Sequence, residues 1–149
     1  MSDVLPLPSG AEEKLYEYGA LGRQAQEAGD FDQAEKYVLA CWNCIPDPKL
    51  SYDHAQSLTA DLVKFYRDIG QPGKAAEWLP LARQAYGPEP DPYIEFIAAT
   101  VHYEAGELDQ AFELFQRLFK AYKTRPFQGE EPKYLAFYLD RVKNQKPNK

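Results

Sequence analysis

The chain has 149 residues, which is enough for one domain with a sizeable core. Charged residues make up 27% and hydrophobic residues 44%, which is ordinary usage for a globular protein, and no apolar run reaches the roughly 18 residues of a membrane span. The net charge of -6 argues against bulk electrostatic binding to nucleic acid or to an anionic membrane, and it is compatible with a basic protein partner.

The first ten residues, MSDVLPLPSG, contain neither a basic segment nor a long apolar stretch, so they do not predict a signal peptide. We expect a flexible leader over residues 1–10, followed by a single domain over 11–145. The expected location is the cytoplasm, where cysteines stay reduced.

Apolar residues recur at helical spacing through most of the chain, separated by breaks that contain Gly or Pro. This pattern predicts an all-α fold of about seven helices. In chain order, we place them at 11–28, 31–44, 53–69, 72–86, 91–105, 108–122 and 131–144.

Three of the predicted breaks share one pattern, in which a Gly is followed five residues later by an Ala. The pairs are Gly29 with Ala34, Gly70 with Ala75, and Gly106 with Ala111, at intervals of 41 and 36 residues. A helix that ends at a Gly cap and is followed by a second helix is the unit that this pattern predicts. Its recurrence indicates a helical repeat array.

The units resemble the tetratricopeptide repeat, whose signature is W-x2-L-G-x2-Y…A-x3-F…P over about 34 residues. The first unit is the most similar, and its matching positions are Tyr18, Leu21, Gly22, Gly29, Phe31, Ala34, Val38, Cys41 and Pro46. The resemblance implies a right-handed α-solenoid with repeats at about 15–46, 56–87 and 92–123. We expect the helix at 131–144 to cap the exposed end of the third repeat.

Both cysteines lie in one C-x-x-C motif, Cys41 and Cys44, which leaves open a redox pair, half of a metal site, or packing. A zinc site needs four ligands, and the chain adds only His54 and His102. A thioredoxin-like motif needs a preceding strand, and none is predicted. We interpret both cysteines as packing residues and expect no metal and no cofactor.

No segment predicts a catalytic site. Residues 70–75, GQPGKA, superficially resemble a phosphate loop, but the spacing differs from GxxxxGK[ST] and Ala75 stands where Ser or Thr is needed. No serine lies in a G-x-S-x-G elbow. The sequence therefore predicts a protein that is not an enzyme.

The family resemblance implies that the first helix of each unit, together with the capping helix, lines a concave groove that binds a partner. Arg and Lys in such a groove suit carboxylates, and aromatic side chains suit an apolar anchor. The implied groove residues are Tyr16, Arg23, Gln26, Lys64, Arg67, Tyr93, Phe96, Thr100, Tyr103, Tyr134, Tyr138 and Arg141.

Two interpretations of function remain open at this point. The first is a protein-interaction module, adaptor or chaperone-like, that holds an acidic or aromatic segment in the groove. The second is an immunity or antitoxin-type inhibitor that blocks a basic toxin or enzyme with its acidic outer surface. The outer acidic residues are Glu35, Asp47, Asp61, Glu77, Glu107, Asp109 and Glu113.

Overall fold

The computed structural model describes residues 5–145, and these residues form seven α-helices and no strand. Two 3-10 turns, Lys49–Ser51 and Arg125–Phe127, were not predicted. The all-α class is therefore confirmed for the described part of the chain. The helices are α1 (Ser9–Glu27), α2 (Phe31–Asn43), α3 (Asp53–Asp68), α4 (Pro72–Ala85), α5 (Pro92–Glu104), α6 (Leu108–Tyr122) and α7 (Pro132–Gln145).

The helix boundaries lie within two residues of the predicted ones, because the chain marks them with local chemistry. Asp30 caps α2 by accepting a hydrogen bond from the backbone N–H of Gln33 at 3.2 Å. Asp91 caps α5 in the same way, at 2.9 Å from the N–H of Tyr93. Pro also occupies the start of both α4 and α5, where its missing N–H costs nothing.

The predicted leader differs from the structure over its described part. Leu5 forms an isolated bridge with Tyr52, with its N–H 2.8 Å from the Ser51 carbonyl, and Leu7 is buried. Helix α1 then begins at Ser9. Of residues 5–8 only Leu7 is buried, and the prolines that follow Leu5 and Leu7 favour an extended backbone in this segment. Residues 1–4 of the predicted leader lie outside the described residues.

The three predicted Gly turns share one geometry. Gly29, Gly70 and Gly106 have φ values of 81°, 80° and 80°, in the left-handed region that favours Gly. The alanines that follow five residues later are fully buried. In each turn the residue after Gly donates a hydrogen bond five residues back, as in a Schellman motif. These bonds join Asp30 to Ala25 at 2.9 Å, Gln71 to Tyr66 at 2.8 Å and Glu107 to His102 at 2.9 Å.

The chain divides into two compact units, Met1–Leu62 and Val63–Lys149, with the boundary inside α3. In the first unit, α1 packs on α2. Gly22 is buried at their contact, where an added Cβ would lie 3.4 Å from that of Tyr37. Nearby is a small core of Leu7, Leu15, Cys41, Ile45, Ala55 and Leu58.

In the second unit, α5 packs on α4 and α6, and α7 packs on α6. This sequential packing is compatible with a solenoid-like arrangement inside the unit. Its core is largely aromatic, with Phe96 and Phe127 ring centroids 5.1 Å apart and edge-to-face. The buried aromatic residues of this cluster are Phe96, Phe112, Phe115, Phe127, Tyr134 and Tyr138.

Candidate functional site

Four of the predicted groove residues are buried instead of facing solvent. Phe96 is 2% exposed, Thr100 is fully buried, and Tyr134 and Tyr138 belong to the aromatic core. The prediction failed at α5 because neighbouring elements cover this helix on more than one side, burying almost all of 94–101. It failed at α7 because this helix packs on α6 through Tyr134 and Tyr138.

Three predicted groove residues, Tyr16, Arg23 and Gln26, lie on α1 in the first unit. Arg23 is exposed and Gln26 is half-buried. Tyr16 is also exposed, and its hydroxyl lies 3.1 Å from Nε2 of His54. The other imidazole nitrogen of His54 lies 2.7 Å from the carboxylate of Asp53. This contact joins α1 to the start of α3.

The remaining predicted residues lie in the second unit, where side-chain contacts join the end of α3, α5 and α7. We call this surface the α5 face. Each member either lies on α5 or contacts a side chain of α5 from α3 or α7. They are Lys64, Arg67, Tyr93, Tyr103, Glu104 and Lys133.

Lys64 and Tyr93 join α3 to α5 at the exposed end of this face. The Nζ atom of Lys64 donates a hydrogen bond to the Tyr93 hydroxyl at 2.7 Å. It also lies 5.4 Å from the Tyr93 ring centroid, within cation–π range. Tyr93 is 41% exposed, so a lysine and an aromatic ring meet at the surface.

Arg67 is held in a deeper position between α3 and α5, and its side chain is only 9% exposed. It donates hydrogen bonds to the Asp68 carboxylate at 2.8 Å and to the Thr100 hydroxyl at 2.9 Å. Burial alone would lower the pKa of Arg67, but the hydrogen bond and the charge of Asp68 outweigh burial and raise it. The guanidinium is therefore a fixed cation beneath the face.

Glu104 and Lys133 join α5 to α7 at the other end of the face. Glu104 accepts a hydrogen bond from the Tyr134 hydroxyl at 2.8 Å and lies 2.7 Å from the Lys133 amine. Burial opposes ionisation of Glu104, but the two hydrogen bonds and the nearby cations outweigh it and lower the pKa of this carboxyl. The hydrogen bond between Lys133 and Glu104 raises the pKa of Lys133. Burial also raises the pKa of the Tyr134 phenol.

Glu104 and Lys133 were missed by the sequence prediction, although one signal pointed to Glu104. It lies four residues after Thr100, on the helix face already assigned to the groove. Lys133 had no such signal, because the position of α7 against α5 depends on packing. Its amine lies 5.7 Å from the Tyr103 ring centroid, and Tyr103 is half-buried.

Arg141, the last predicted groove residue, contacts the start of α6 and not α5. Its guanidinium donates to the Leu108 carbonyl at 3.0 Å and pairs with Asp109. It also lies 4.7 Å from the Phe112 ring centroid. Through these contacts the long side chain of Arg141 joins α7 to the start of α6.

The two cysteines have different environments. Cys41 is buried, and its thiol donates to the Leu15 carbonyl at 3.4 Å. Burial raises the pKa of Cys41 to about 11 and also raises that of the half-buried Cys44. Both shifts favour the inert thiol over the reactive thiolate, which supports the interpretation as packing residues.

The net charge is unevenly divided between the units. Residues 1–62 contain 11 acidic and 4 basic residues, a charge of -7. Residues 63–149 contain 12 acidic and 13 basic residues, a charge of +1. The acidity of the chain is therefore a property of the first unit, and the α5 face belongs to a nearly neutral one.

Comparisons with protein-family models, with curated proteins and with solved structures found no match to this chain. Among the described residues, no helix combines the length and the apolar character needed to cross a membrane. The features that bear on function are therefore the α5 face and the distribution of charge.

Proposed function

We propose that the protein is a non-enzymatic binding module, adaptor or chaperone-like, that holds a segment of another protein on the α5 face. One observation carries the proposal: Lys64 and Lys133 each lie over a tyrosine ring at this surface, at either end of α5. Amine cations beside aromatic rings suit a partner that presents both a carboxylate and an apolar side chain.

The partner segment that fits is short, acidic and aromatic. A carboxylate near Lys64 or Lys133 would replace or share the contacts those amines make with Tyr93 and Glu104. Arg67 adds a fixed positive charge below the surface. An aromatic side chain of the partner would pack against Tyr93, the most exposed ring of the face.

The resemblance to tetratricopeptide repeats supports the same assignment. The three Gly turns have equivalent hydrogen bonds, a feature that repeated units would share. In that family the first helix of each unit contacts the ligand, and α3 and α5 are first helices in the proposed repeats. The proposal includes a right-handed solenoid with repeats at about 15–46, 56–87 and 92–123.

We place this interaction in the cytoplasm, with neither nucleic acid nor a membrane as the partner. Both cysteines are free thiols, which suits a reducing compartment. The charge of -7 on the first unit would repel a phosphate backbone or an anionic bilayer.

Affinity capture with two matched variants tests the proposal. Lys64→Gln/Lys133→Gln removes two cations from the α5 face, and Lys36→Gln/Lys143→Gln removes two exposed cations elsewhere. Arg67 is left intact, because replacing this nearly buried guanidinium would remove the hydrogen bond that joins α3 to the buried Thr100 of α5. A stoichiometric protein that the control retains and the face variant loses is the expected result. Equal capture by both variants would contradict binding on the α5 face.

The inhibitor interpretation is favoured by a separate observation, the charge of -7 on residues 1–62. Acidic residues such as Glu13, Glu17, Asp47 and Asp61 are exposed in this unit. A basic toxin or enzyme would be attracted to them at long range. In this case Glu13→Gln/Glu17→Gln would slow association with the captured partner, while Lys64→Gln/Lys133→Gln would not weaken it.

A further inference from the structure

A basic cluster lies at the end of α6 and in the turn that follows it. Its four exposed members are Arg117, Lys120, Lys123 and Arg125. We call it the α6 end. Within the described residues, none of these side chains forms an ion pair or a side-chain hydrogen bond.

The helix dipole explains only part of this cluster. Lys120 lies in the last turn of α6, where a cation is favoured by the negative end of the helix. Arg125 lies beyond the helix, in the 3-10 turn, and Arg117 lies more than one turn before the end. Both therefore lie outside the last turn, where this effect is strongest.

Two cavities border the α6 end and give it the form of a binding surface. The first is about 470 Å³ and is lined by Arg117, Leu114 and the proline-rich loop 87–91. The second is about 420 Å³ and is lined by Arg125, Pro126 and Tyr93. Pro92 and Tyr122 line both cavities, so they form the ridge between them.

The ridge and its flanks combine an exposed ring with a cation on each side. Tyr122 is 44% exposed, with Arg117 lining one neighbouring cavity and Arg125 the other. Within the first cavity, Glu95 is already occupied, because Arg83 binds it through two hydrogen bonds of 3.0 and 3.1 Å. Asp91 is likewise occupied as the cap of α5. Two of the three acidic residues that line this cavity therefore have other partners, and the third is Glu89.

We propose that the α6 end binds an acidic peptide segment of a partner protein, with one aromatic side chain of the segment packed against Tyr122. Carboxylates on either side of that aromatic residue would pair with Arg117 and Arg125, and Arg suits such pairs because it can donate two parallel hydrogen bonds. Glu89 and Glu130 also line the cavities, which disfavours a continuous polyanion such as nucleic acid. This surface adjoins the α5 face at Tyr93, which lines the second cavity.

Fluorescence anisotropy with the full chain tests this inference. The probe is a fluorescein-labelled peptide of sequence DEDWDED, and the controls are NQNWNQN and DEDADED. We expect saturable binding of the first peptide and at least roughly tenfold weaker binding of both controls. We also expect Arg117→Gln/Arg125→Gln to weaken binding by roughly tenfold or more, because it removes both flanking cations.

Two further variants separate this surface from the rest of the molecule. Lys36→Gln/Lys143→Gln has the same charge change and should leave the affinity within about twofold. The α5 face is proposed to bind a similar segment, so Lys64→Gln/Lys133→Gln is measured alongside and should weaken binding less than Arg117→Gln/Arg125→Gln does. A larger loss in the lysine variant would overturn the inference in favour of the α5 face. No saturation at about 1 mM protein, or equal losses in all three double variants, would overturn the inference. A self-associated dimer that Arg117→Gln/Arg125→Gln dissociates, without peptide binding, would overturn it in favour of a second copy of the chain.

Discussion

At the scale of single residues, glycines with opposite backbone requirements give a matched pair of stability predictions. Gly106 has a φ of 80° at the turn between α5 and α6, whereas Gly73 lies at the start of α4 with open space around an added Cβ. Gly106→Ala should lower the free energy of unfolding by about 1 kcal/mol, because Ala strains this conformation. Gly73→Ala should raise it by about 0.5–1 kcal/mol, because Ala favours helix.

Urea unfolding followed by circular dichroism measures both free energies. The comparison is internally controlled, since each variant adds one methyl group at an exposed site. If Gly106→Ala were as stable as the wild type, residue 106 would not adopt the left-handed conformation in solution.

The cysteines predict an order of chemical reactivity. Cys41 is buried with its pKa raised to about 11, whereas Cys44 is half-buried. Iodoacetamide at neutral pH should therefore modify Cys44 before Cys41, because alkylation needs both access and the thiolate. Peptide mass spectrometry over time measures the two rates. Faster modification of Cys41 would contradict its burial between α1 and α2.

At the scale of helices, the contact of α5 with α7 predicts a pH dependence of stability. The pKa of Glu104 is lowered in the folded state, below its ordinary value of 4.5. Its stabilising contribution is therefore present in full above that value and is lost as the pH falls through the folded pKa. Lys133, Tyr134 and Arg67 are the groups that favour the charged carboxylate.

Urea midpoints at about pH 6 and about pH 3, for the wild type and Glu104→Gln, measure this contribution. The midpoint should fall more in the wild type, because the other carboxyl groups gain protons in both proteins, whereas residue 104 does so only in the wild type. Equal decreases in the two proteins would show that Glu104 does not contribute to the acid sensitivity.

In the core formed by α5, α6 and α7, two substitutions should have very different effects on the free energy of unfolding. Phe115 is fully buried, with its ring near those of Phe96, Phe127 and Tyr134. Phe115→Ala should lower the free energy of unfolding by about 3–5 kcal/mol, because it leaves a cavity. Leu139→Ala, at a position 45% exposed, should change it by less than about 0.5 kcal/mol. Equal effects in denaturant unfolding would contradict the assigned core.

The helices and turns were predictable from the sequence because their signals are local. Asp30, Asp91 and the turn glycines fix where helices begin and end through contacts with their own neighbours. The burial of Phe96 and Tyr138 was not predictable in the same way. It depends on which face of α5 or α7 meets a third element, and helical periodicity alone does not determine that.

The candidate site was predicted in part for the same reason. Lys64, Arg67, Tyr93 and Tyr103 were predicted as groove residues from their repeat positions, and the structure joins them to α5 by direct contacts. Their role in binding a partner stays a prediction. Lys133 was missed because its approach to α5 requires the fold of α7. The α6 end was missed because Arg117 and Lys120 have the spacing of an ordinary solvated helix face, and the cavities beside them depend on the fold.

At the scale of the whole molecule, the net charge of -6 is divided unequally between the two units. The first unit carries -7 and the second +1, and the second contains both proposed binding surfaces. A partner that is acidic overall is therefore expected to contact the second unit, and a basic partner the first. The charge of the captured partner thus distinguishes the adaptor interpretation from the inhibitor interpretation.

Site-specific photocrosslinking tests the central claim, binding on the α5 face, most directly. A benzophenone amino acid would replace Tyr93 on the face, Glu77 on the exposed side of α4, or Glu13 in the first unit, all exposed positions. We predict a crosslinked partner from position 93 that is absent from position 77 and is lost when Lys64→Gln/Lys133→Gln is added. Crosslinks from position 77 or 13 without one from position 93 would contradict the proposed function.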